Sequence, residues 1–465
     1  MFVNRETELG FLREHLDCSE PSLLVIYGRR RTGKTELINR YMETDGQDVF
    51  SDRIYYLADE RGTEPNVDRF AEKASEALDD VKPDADGFDD VFEYIVGRTE
   101  SCLVVIDEFS YLVENDDSVP STFQLVWDEI LQKDEPSVSL VLLGSSISMM
   151  EEGVLSYESP LYGRRTGQWK LTPLSFKHTS EFFAGYGFED RVRGYAVLGG
   201  VPAYLEKFDP DTGLFDNIES RVLSKGSFLY EEPEFLLRQE LREPSTYMSA
   251  LESMASGSTT VTEIANDIGR DASGMSRYLQ NLRRLEIVDR VTPVTANRDS
   301  RGVYEIADNF FRFWFRFVYP RLDSLERGST SESRRAVEEG IDTYTGRIFE
   351  DVCRQAVYED GFGFGASSVG RWWYKEDEID LVALDEEKDR ILFGECKWTE
   401  SRVGEPLLRN LKEKSNRVRW RDGNRKEVYV LFSRAGFTKE VMEEARDDAD
   451  FMLWNASELQ EVFDT

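Results

Sequence analysis

Apolar residues fall into two kinds of run along this chain. The first kind is short and nearly unbroken: Leu23–Tyr27, Leu103–Ile106 and residues 137–146 (SVSLVLLGSS) read as strands buried on both faces of a parallel sheet, with a shorter strand at 53–58 (RIYYLA). The second kind recurs at helical spacing. Leu9, Leu12 and Leu16 line one side of residues 4–16, with Glu6 and Glu8 in the first turn. Phe176, Phe182, Phe183 and Tyr186 open a helical stretch, interrupted at Gly199, Gly200 and Pro202, where a nucleotide-responsive hinge is expected. From Ser258 the pattern predicts a helix over 262–268, a turn at Gly269 and a helix over 273–285. IVDRV and VYEI (303–306) follow, so a helix-turn-helix is expected to carry a two-stranded wing. Residues 309–320 (NFFRFWFRFVYP) form a helix with a broad apolar face and Arg312 and Arg316 one turn apart on the other side; base stacking on the aromatics is the second reading. Residues 378–384 and 391–398 alternate as two strands around the polar turn DEEKDR, and 405–465 supply further helices and a strand at 427–433.

The alternation predicts an α/β multidomain chain. A parallel-sheet core is expected over 1–170, a helical lid over 171–245, a winged helix-turn-helix over 246–308 and a mixed-sheet α/β domain over 309–465. At 465 residues there is room for about three domains.

The first strand runs into GRRRTGKT, which implies a nucleotide-phosphate site. Gly28 and Gly33 let the backbone curl its N–H groups inward, and the helix that follows aims its positive end at the same anion. Lys34 is placed to reach the β- and γ-phosphates of ATP and the Thr35 hydroxyl to ligate Mg²⁺, with Thr32 and Glu36 completing the cradle. Arg29, Arg30 and Arg31 read either as solvated loop charges or as contacts to phosphate or a neighbouring subunit. Asp107 and Glu108 end the third strand, where open α/β sheets place their ligand crevices. The expected roles are Mg²⁺ binding for Asp107, with Thr35, and activation of the attacking water for Glu108. Ser145 stands at the end of the adjacent strand, as a γ-phosphate sensor or as simple turn chemistry. Arg164 or Arg165 in YGRRTG reads as a γ-phosphate contact, in cis or from a second copy in a homo-oligomer, or as an exposed turn.

Charge changes the picture of the surface. The 91 acidic residues outnumber 57 basic ones, for a net charge of −34. That imbalance is tolerable in concentrated salt, where the Debye length falls to about 3 Å, and the composition resembles that of cytosolic proteins from salt-accumulating halophiles. Four scattered cysteines and two histidines exclude most zinc-site patterns and a disulfide framework. No basic, apolar leader and no run long enough to span a bilayer is present, so no membrane partner and a cytoplasmic location are expected. Against the acidic background, residues 258–300 are neutral. Six arginines (Arg270, Arg277, Arg283, Arg284, Arg290, Arg298) balance six acids (Glu263, Asp267, Asp271, Glu286, Asp289, Asp299). A surface spared from acidification suits double-stranded DNA; protein packing is the alternative.

A second chemical constellation lies in the last domain. A hairpin symmetric about the Glu387/Lys388 midpoint sets Asp380 opposite Glu395, and opposed carboxylates repel unless a divalent metal, Mg²⁺ or Mn²⁺, lies between them. Lys397 shares the face of Glu395, where an ammonium positions water or stabilises a phosphorane. This D…ExK pattern resembles the PD-(D/E)XK nucleases, with Glu350 as the upstream acid; the alternative is a retained but inactive nuclease fold.

VNRETEL, GRRRTGKT, VVIDEFSYL, the GSS strand end, YGRRTG, LGGVPAYL and DNFFRFWFRFVYP together resemble the archaeal DEXX-box ATPases, in the signal-transducing (STAND-like) branch near the AAA+ ATPases. The resemblance runs nearly end to end. It implies an ATPase core, a helical lid, a winged helix and a nuclease-like carboxy-terminal domain. DEFS follows the strand without a helicase motif set, so no helicase activity is expected.

Overall fold

The computed structural model describes residues 2–16, 20–132, 136–296, 302–359 and 363–464. Cys18, Arg298 and Asp299 lie outside the described residues. The chain divides into two compact units, Met1–Pro173 and Leu174–Thr465.

The first unit is built on five parallel strands: β1 (Leu23–Tyr27), β2 (Asp52–Leu57), β3 (Ser101–Asp107), β4 (Ser137–Gly144) and β5 (Gly167–Lys170), in the order β2-β3-β4-β1-β5. Every residue of β1 and β4 is buried, as continuous apolar runs demand. Alternate side chains feed two cores. Leu24, Ile26, Val105 and Leu143 pack with Leu9 and Leu12 of helix Glu6–His15 and with Leu37 of helix Lys34–Glu43, while Val25, Val104, Ile106 and Leu142 pack with Phe70, Phe92 and Phe123. Because β4 lies between β1 and β3, the phosphate loop and the acidic strand end flank Ser145.

The second unit begins with a 3₁₀ segment, Phe176–Phe183, and helix Phe188–Leu198. The expected lid is not a separate body at this end: Phe176, Phe188 and Val192 share one core with Phe349, Val352, Leu392 and Val430 of the carboxy-terminal sheet domain. The break after Leu198 has a packing cause as well. Gly199 is left-handed (φ 65°), and a Cβ on Gly200 would stand 1.8 Å from the carbonyl oxygen of Leu174, whose amide donates to Gly200 at 2.8 Å.

Helices Val261–Asp267 and Ala272–Arg284 follow, with strands β6 (Val288–Val291) and β7 (Val303–Ile306) paired antiparallel. A capping box at Thr260 and Glu263 starts the first helix and Asp271 caps the second. The helix running from Asn309 to Val318 buries Phe310, Phe311, Phe313, Trp314, Phe315 and Phe317, so its aromatics are core; Arg312 is half-buried and Arg316 exposed.

The last sheet is mixed. Strands β8 (Ser368–Tyr374), β9 (Asp377–Asp385), β10 (Arg390–Lys397), β11 (Lys426–Ser433) and β12 (Phe451–Asn455) lie in the order β12-β11-β10-β9-β8, antiparallel on the β8 side and parallel on the β12 side. Helix Ser331–Tyr358 covers one face, and Leu408 and Leu411 of helix Glu405–Ser415 cover the other. The β6–β7 hairpin docks on this domain. Val294 donates to the Arg371 carbonyl at 2.8 Å, and Glu305 receives Arg371 at 3.1 Å and Arg347 at 2.6 Å. No described helix is long and apolar enough to cross a membrane.

Candidate active sites

The phosphate loop leaves β1 at Gly28, where a Cβ would lie 2.3 Å from the Leu171 carbonyl oxygen, and enters its helix at Gly33, which is left-handed (φ 92°). Both positions need glycine. Lys34, almost fully buried, donates to the carbonyls of Gly28 (2.9 Å) and Arg29 (3.0 Å), curling its ammonium over the loop that would hold phosphate. Thr32 donates to the Arg29 carbonyl at 2.8 Å. Glu36 is exposed; only its first-turn amide, of the set a helix leaves unsatisfied, is placed to serve an anion. The arginines are not a solvated run. Arg29 is 3% exposed, Arg30 donates to the Tyr111 hydroxyl at 2.9 Å, and Arg31 is left-handed (φ 70°) and half-buried. Arg5 clamps the loop from outside, donating to the Thr32 carbonyl at 3.0 Å and the Thr172 carbonyl at 2.9 Å. Helix packing alone does not account for residues 4–16.

The acidic strand end meets the loop directly. Thr35 Oγ1 donates to Asp107 Oδ2 at 2.6 Å, and Tyr55, from β2, donates to the same oxygen at 2.7 Å. Burial, then the Asp107 charge, pushes the Tyr55 phenol well above its ordinary value, so it stays a donor. Glu108 is left-handed (φ 55°), a conformation costing about 1–3 kcal/mol in a residue with a side chain. Its Oε1 accepts from Ser145 at 2.8 Å, while its Oε2 is shielded from solvent without a hydrogen-bond partner. Ser145 therefore touches the acid.

Arg164 lies elsewhere. Thr166 donates to the Leu23 carbonyl at 2.8 Å, so YGRRTG sits at the opposite end of β1 from Gly28, roughly 13 Å along a five-residue strand. Arg164 is held by Asp128 at 2.8 Å through both Nε and Nη2. The cis contact of Arg164 or Arg165 to a γ-phosphate is thus corrected: the strand's own length separates them from the loop.

The second constellation assembles on β9 and β10. Their register pairs Leu381 with Gly394 and Asp385 with Arg390, which sets Asp380 opposite Glu395 one step beyond the last bonded pair. Lys397 bridges the two acids, 3.2 Å from Asp380 Oδ2 and 2.9 Å from Glu395 Oε2, and the Cys396 amide donates to Asp380 at 2.9 Å. Glu395 is 2% exposed, and its other oxygen receives Lys414 of helix Glu405–Ser415 at 2.7 Å. Glu350 stands within 3.4 Å of Arg347 and 3.8 Å of Arg354, and Arg354 donates to the Asp380 carbonyl at 2.7 Å. Burial, then the Asp380 charge, raises the Glu350 carboxyl to about 8, and the same two causes raise Glu395. Burial opposes the Lys397 ammonium, but Asp380 and Glu395 outweigh it and hold its pKa above the ordinary lysine value. The expected repulsion is present, since the Asp380 charge raises Glu395, and Lys397 and Lys414 partly offset it. No group of three potential ligands stands ready for a metal among the described residues.

Tyr55, Arg5, Lys414 and Arg354 escaped the sequence reading. Period-two alternation puts Tyr55 on the opposite face from Ile54 and Tyr56, a signal that locates its side but not its partner. Lys414 lies 19 residues beyond Glu395 and carries no spacing signal.

Residues 2–208 match an ATPase domain found predominantly in Archaea, and residues 314–415 match a family described as Archaea bacterial proteins of unknown function. An uncharacterised protein of Methanocaldococcus jannaschii is 37% identical over 425 residues, 90% of this chain and 92% of the relative. An uncharacterised ATP-binding protein of the same organism is 49% identical over 43 residues, 9% of this chain and 73% of the relative. Among solved structures, the Walker-type ATPase PABY2304 of Pyrococcus abyssi shares the fold at TM-score 0.50 and 18% identity, covering 68% of this chain and 96% of its own. With the phosphate loop, the acidic strand end and a relative matched over almost its whole length, the chain belongs to the archaeal DEXX-box ATPase family.

Proposed function

We propose that this ATPase couples Mg²⁺-dependent ATP hydrolysis to DNA, through its winged helix-turn-helix and a nuclease-like carboxy-terminal site. Lys34 leaves its loop carbonyls to reach the β- and γ-phosphates. Thr35 and Asp107, already 2.6 Å apart, are the pair that would hold Mg²⁺, which supplies charge neutralisation on the phosphates when bound. Glu108, fixed by Ser145 through one oxygen, keeps the other for the proton of the attacking water. The orphaned, shielded oxygen supports this fit.

On the helix-turn-helix, Ser276, Arg277 and Gln280 form an exposed face of helix Ala272–Arg284, the element that would enter a major groove, while the wing is engaged through Glu305 and Val294 by Arg371 and Arg347. The observation that carries the DNA reading is the convergence of Asp380 and Glu395 on Lys397. An ion that displaces the ammonium finds two carboxylate oxygens facing it, with Glu350 nearby, an oxygen set suited to Mg²⁺ or Mn²⁺. The second reading, a nucleotide-controlled STAND-type switch or transcriptional regulator with an inactive nuclease fold, draws support from Lys414, which neutralises Glu395 from the far side. The test is cleavage of supercoiled plasmid with Mn²⁺ in molar KCl, the salt suited to so acidic a surface. Wild type is expected to nick and Glu395→Gln to be inert; an inert wild type that still hydrolyses ATP selects the switch.

A further inference from the structure

A cleft of about 390 Å³ opens in the second unit between the helix Asn309–Val318 and the long helix Ser331–Tyr358. Arg312, Arg316 and Arg347 line it together with Thr343 and Tyr344, and no carboxylate does. In a chain where 91 acids face 57 bases, Arg312 and Arg316 standing beside Arg347 with no acid in the wall offer a site to an outside anion. Their bonding leaves capacity for one. Arg312 spends Nε and Nη2 on the Ile306 carbonyl, and its Nη1 has no hydrogen-bond partner. Arg316 is exposed and pairs with no carboxylate among the described residues. Arg347 is shared between Glu305 at 2.6 Å and Glu350 at 3.4 Å.

We infer that this cleft binds consecutive phosphodiester groups of a DNA strand and leads it toward Glu350, Asp380, Glu395 and Lys397. Arg312 and Arg316 are one helical turn apart, about 6 Å along the axis, so the fork of Arg316 and the one remaining, shielded Nη1 of Arg312 would meet two successive anions rather than a single ion. Ala255, which also lines the cleft, ends the helix that leads into the helix-turn-helix, and Arg347 precedes Glu350 by less than one turn. The cleft thus lies between the helix that precedes the helix-turn-helix and the helix that carries Glu350. A planar guanidinium grips phosphate bidentately, which suits a backbone track that carries no sequence preference. The direction of the strand rests on the nuclease reading; the affinity of the cleft for the backbone does not.

Binding of a fluorescent duplex to the full chain is measured by anisotropy in EDTA, which silences cleavage, across a series of KCl concentrations. Arg316→Gln is expected to lower affinity and reduce the slope of log affinity against log salt by about one, Arg312→Gln/Arg316→Gln by about two, and Arg316→Lys to restore the single loss. An unchanged slope in Arg316→Gln overturns the inference. So does a parent protein that binds no duplex but is stabilised thermally by inorganic pyrophosphate in an Arg316-dependent way, since the ligand is then a free polyphosphate. Plasmid nicking that fails while the duplex slopes behave as expected counts against the nuclease reading alone.

Discussion

Two acidic pairs organise this molecule, and their partners differ in kind. Asp107 and Glu108, at the end of β3, are held by hydroxyls from Thr35, Tyr55 and Ser145. Asp380 and Glu395 are held by the ammoniums of Lys397 and Lys414. A hydroxyl orients a carboxylate and leaves its charge in place, so the first site keeps an unmet demand for a cation. An ammonium cancels the charge, so the second is balanced as it stands, and a metal must displace a lysine to enter. The same residue type is poised at a strand end in one sheet and guarded inside a strand pair in the other.

The largest effect expected is at the poised site. Lys34→Ala should abolish ATP binding, because its ammonium, curled over the loop carbonyls, is the cation placed to meet the β- and γ-phosphates. Glu108→Gln should bind ATP normally and lose about 10²–10⁴-fold in turnover, the usual span for a positioned general base. Both are read by nucleotide binding and phosphate release in molar KCl. Equal turnover in wild type and Glu108→Gln would remove Glu108 from its role and erase the contrast between the two sites.

At the guarded site the expected effect is on stability. Asp380→Asn takes one partner from Lys397 and weakens an acceptor of the Cys396 amide. Loss of a hydrogen bond to a charged group costs about 1.5–3 kcal/mol, softened here because Lys397 is 34% exposed. The variant should therefore melt lower than wild type in EDTA, the reverse of what two unrelieved carboxylates would give. With Mn²⁺, wild type should gain thermal stability and Asp380→Asn should not. A wild type indifferent to Mn²⁺ means that the lysines are permanent occupants and that the two sites differ in function as well as in bonding.

Much of this contrast was legible in the sequence and its decisive half was not. The phosphate loop is local: four positions within eight residues impose φ values and donors that no tertiary contact has to supply. The 380/395 register follows from a short symmetric turn, and antiparallel pairing along β9 and β10 keeps it to the last bonded pair. Lys414 and Arg354 come from helices whose approach is set by core packing, which carries no spacing signal. For the same reason the periodicity that opens at Phe176 showed an apolar face but not that the carboxy-terminal sheet domain covers Phe176. Arg164 failed in the opposite way. Its motif is local, but the end of the sheet on which it lies depends on the parallel pairing of β5 with β1.

The smallest effect expected sharpens the first site. Tyr55 donates to Asp107 Oδ2 beside Thr35, and its raised phenol keeps the proton at any ordinary pH. Tyr55→Phe removes one of the carboxylate's donors and leaves Thr35 and the Glu108 amide in place. A neutral hydrogen bond contributes about 0.5–1.5 kcal/mol, and an outer partner of a metal-binding carboxylate acts by holding its orientation. The Mg²⁺ concentration for half-maximal hydrolysis should therefore rise a few-fold, to about tenfold at most, with turnover at saturating Mg²⁺ unchanged. A Mg²⁺ titration of ATP hydrolysis by both proteins separates the outcomes. If turnover falls while the Mg²⁺ requirement stays fixed, the hydroxyl serves the reacting phosphate and not Asp107. The hydroxyl-held site would then be more than an oriented carboxylate waiting for its cation.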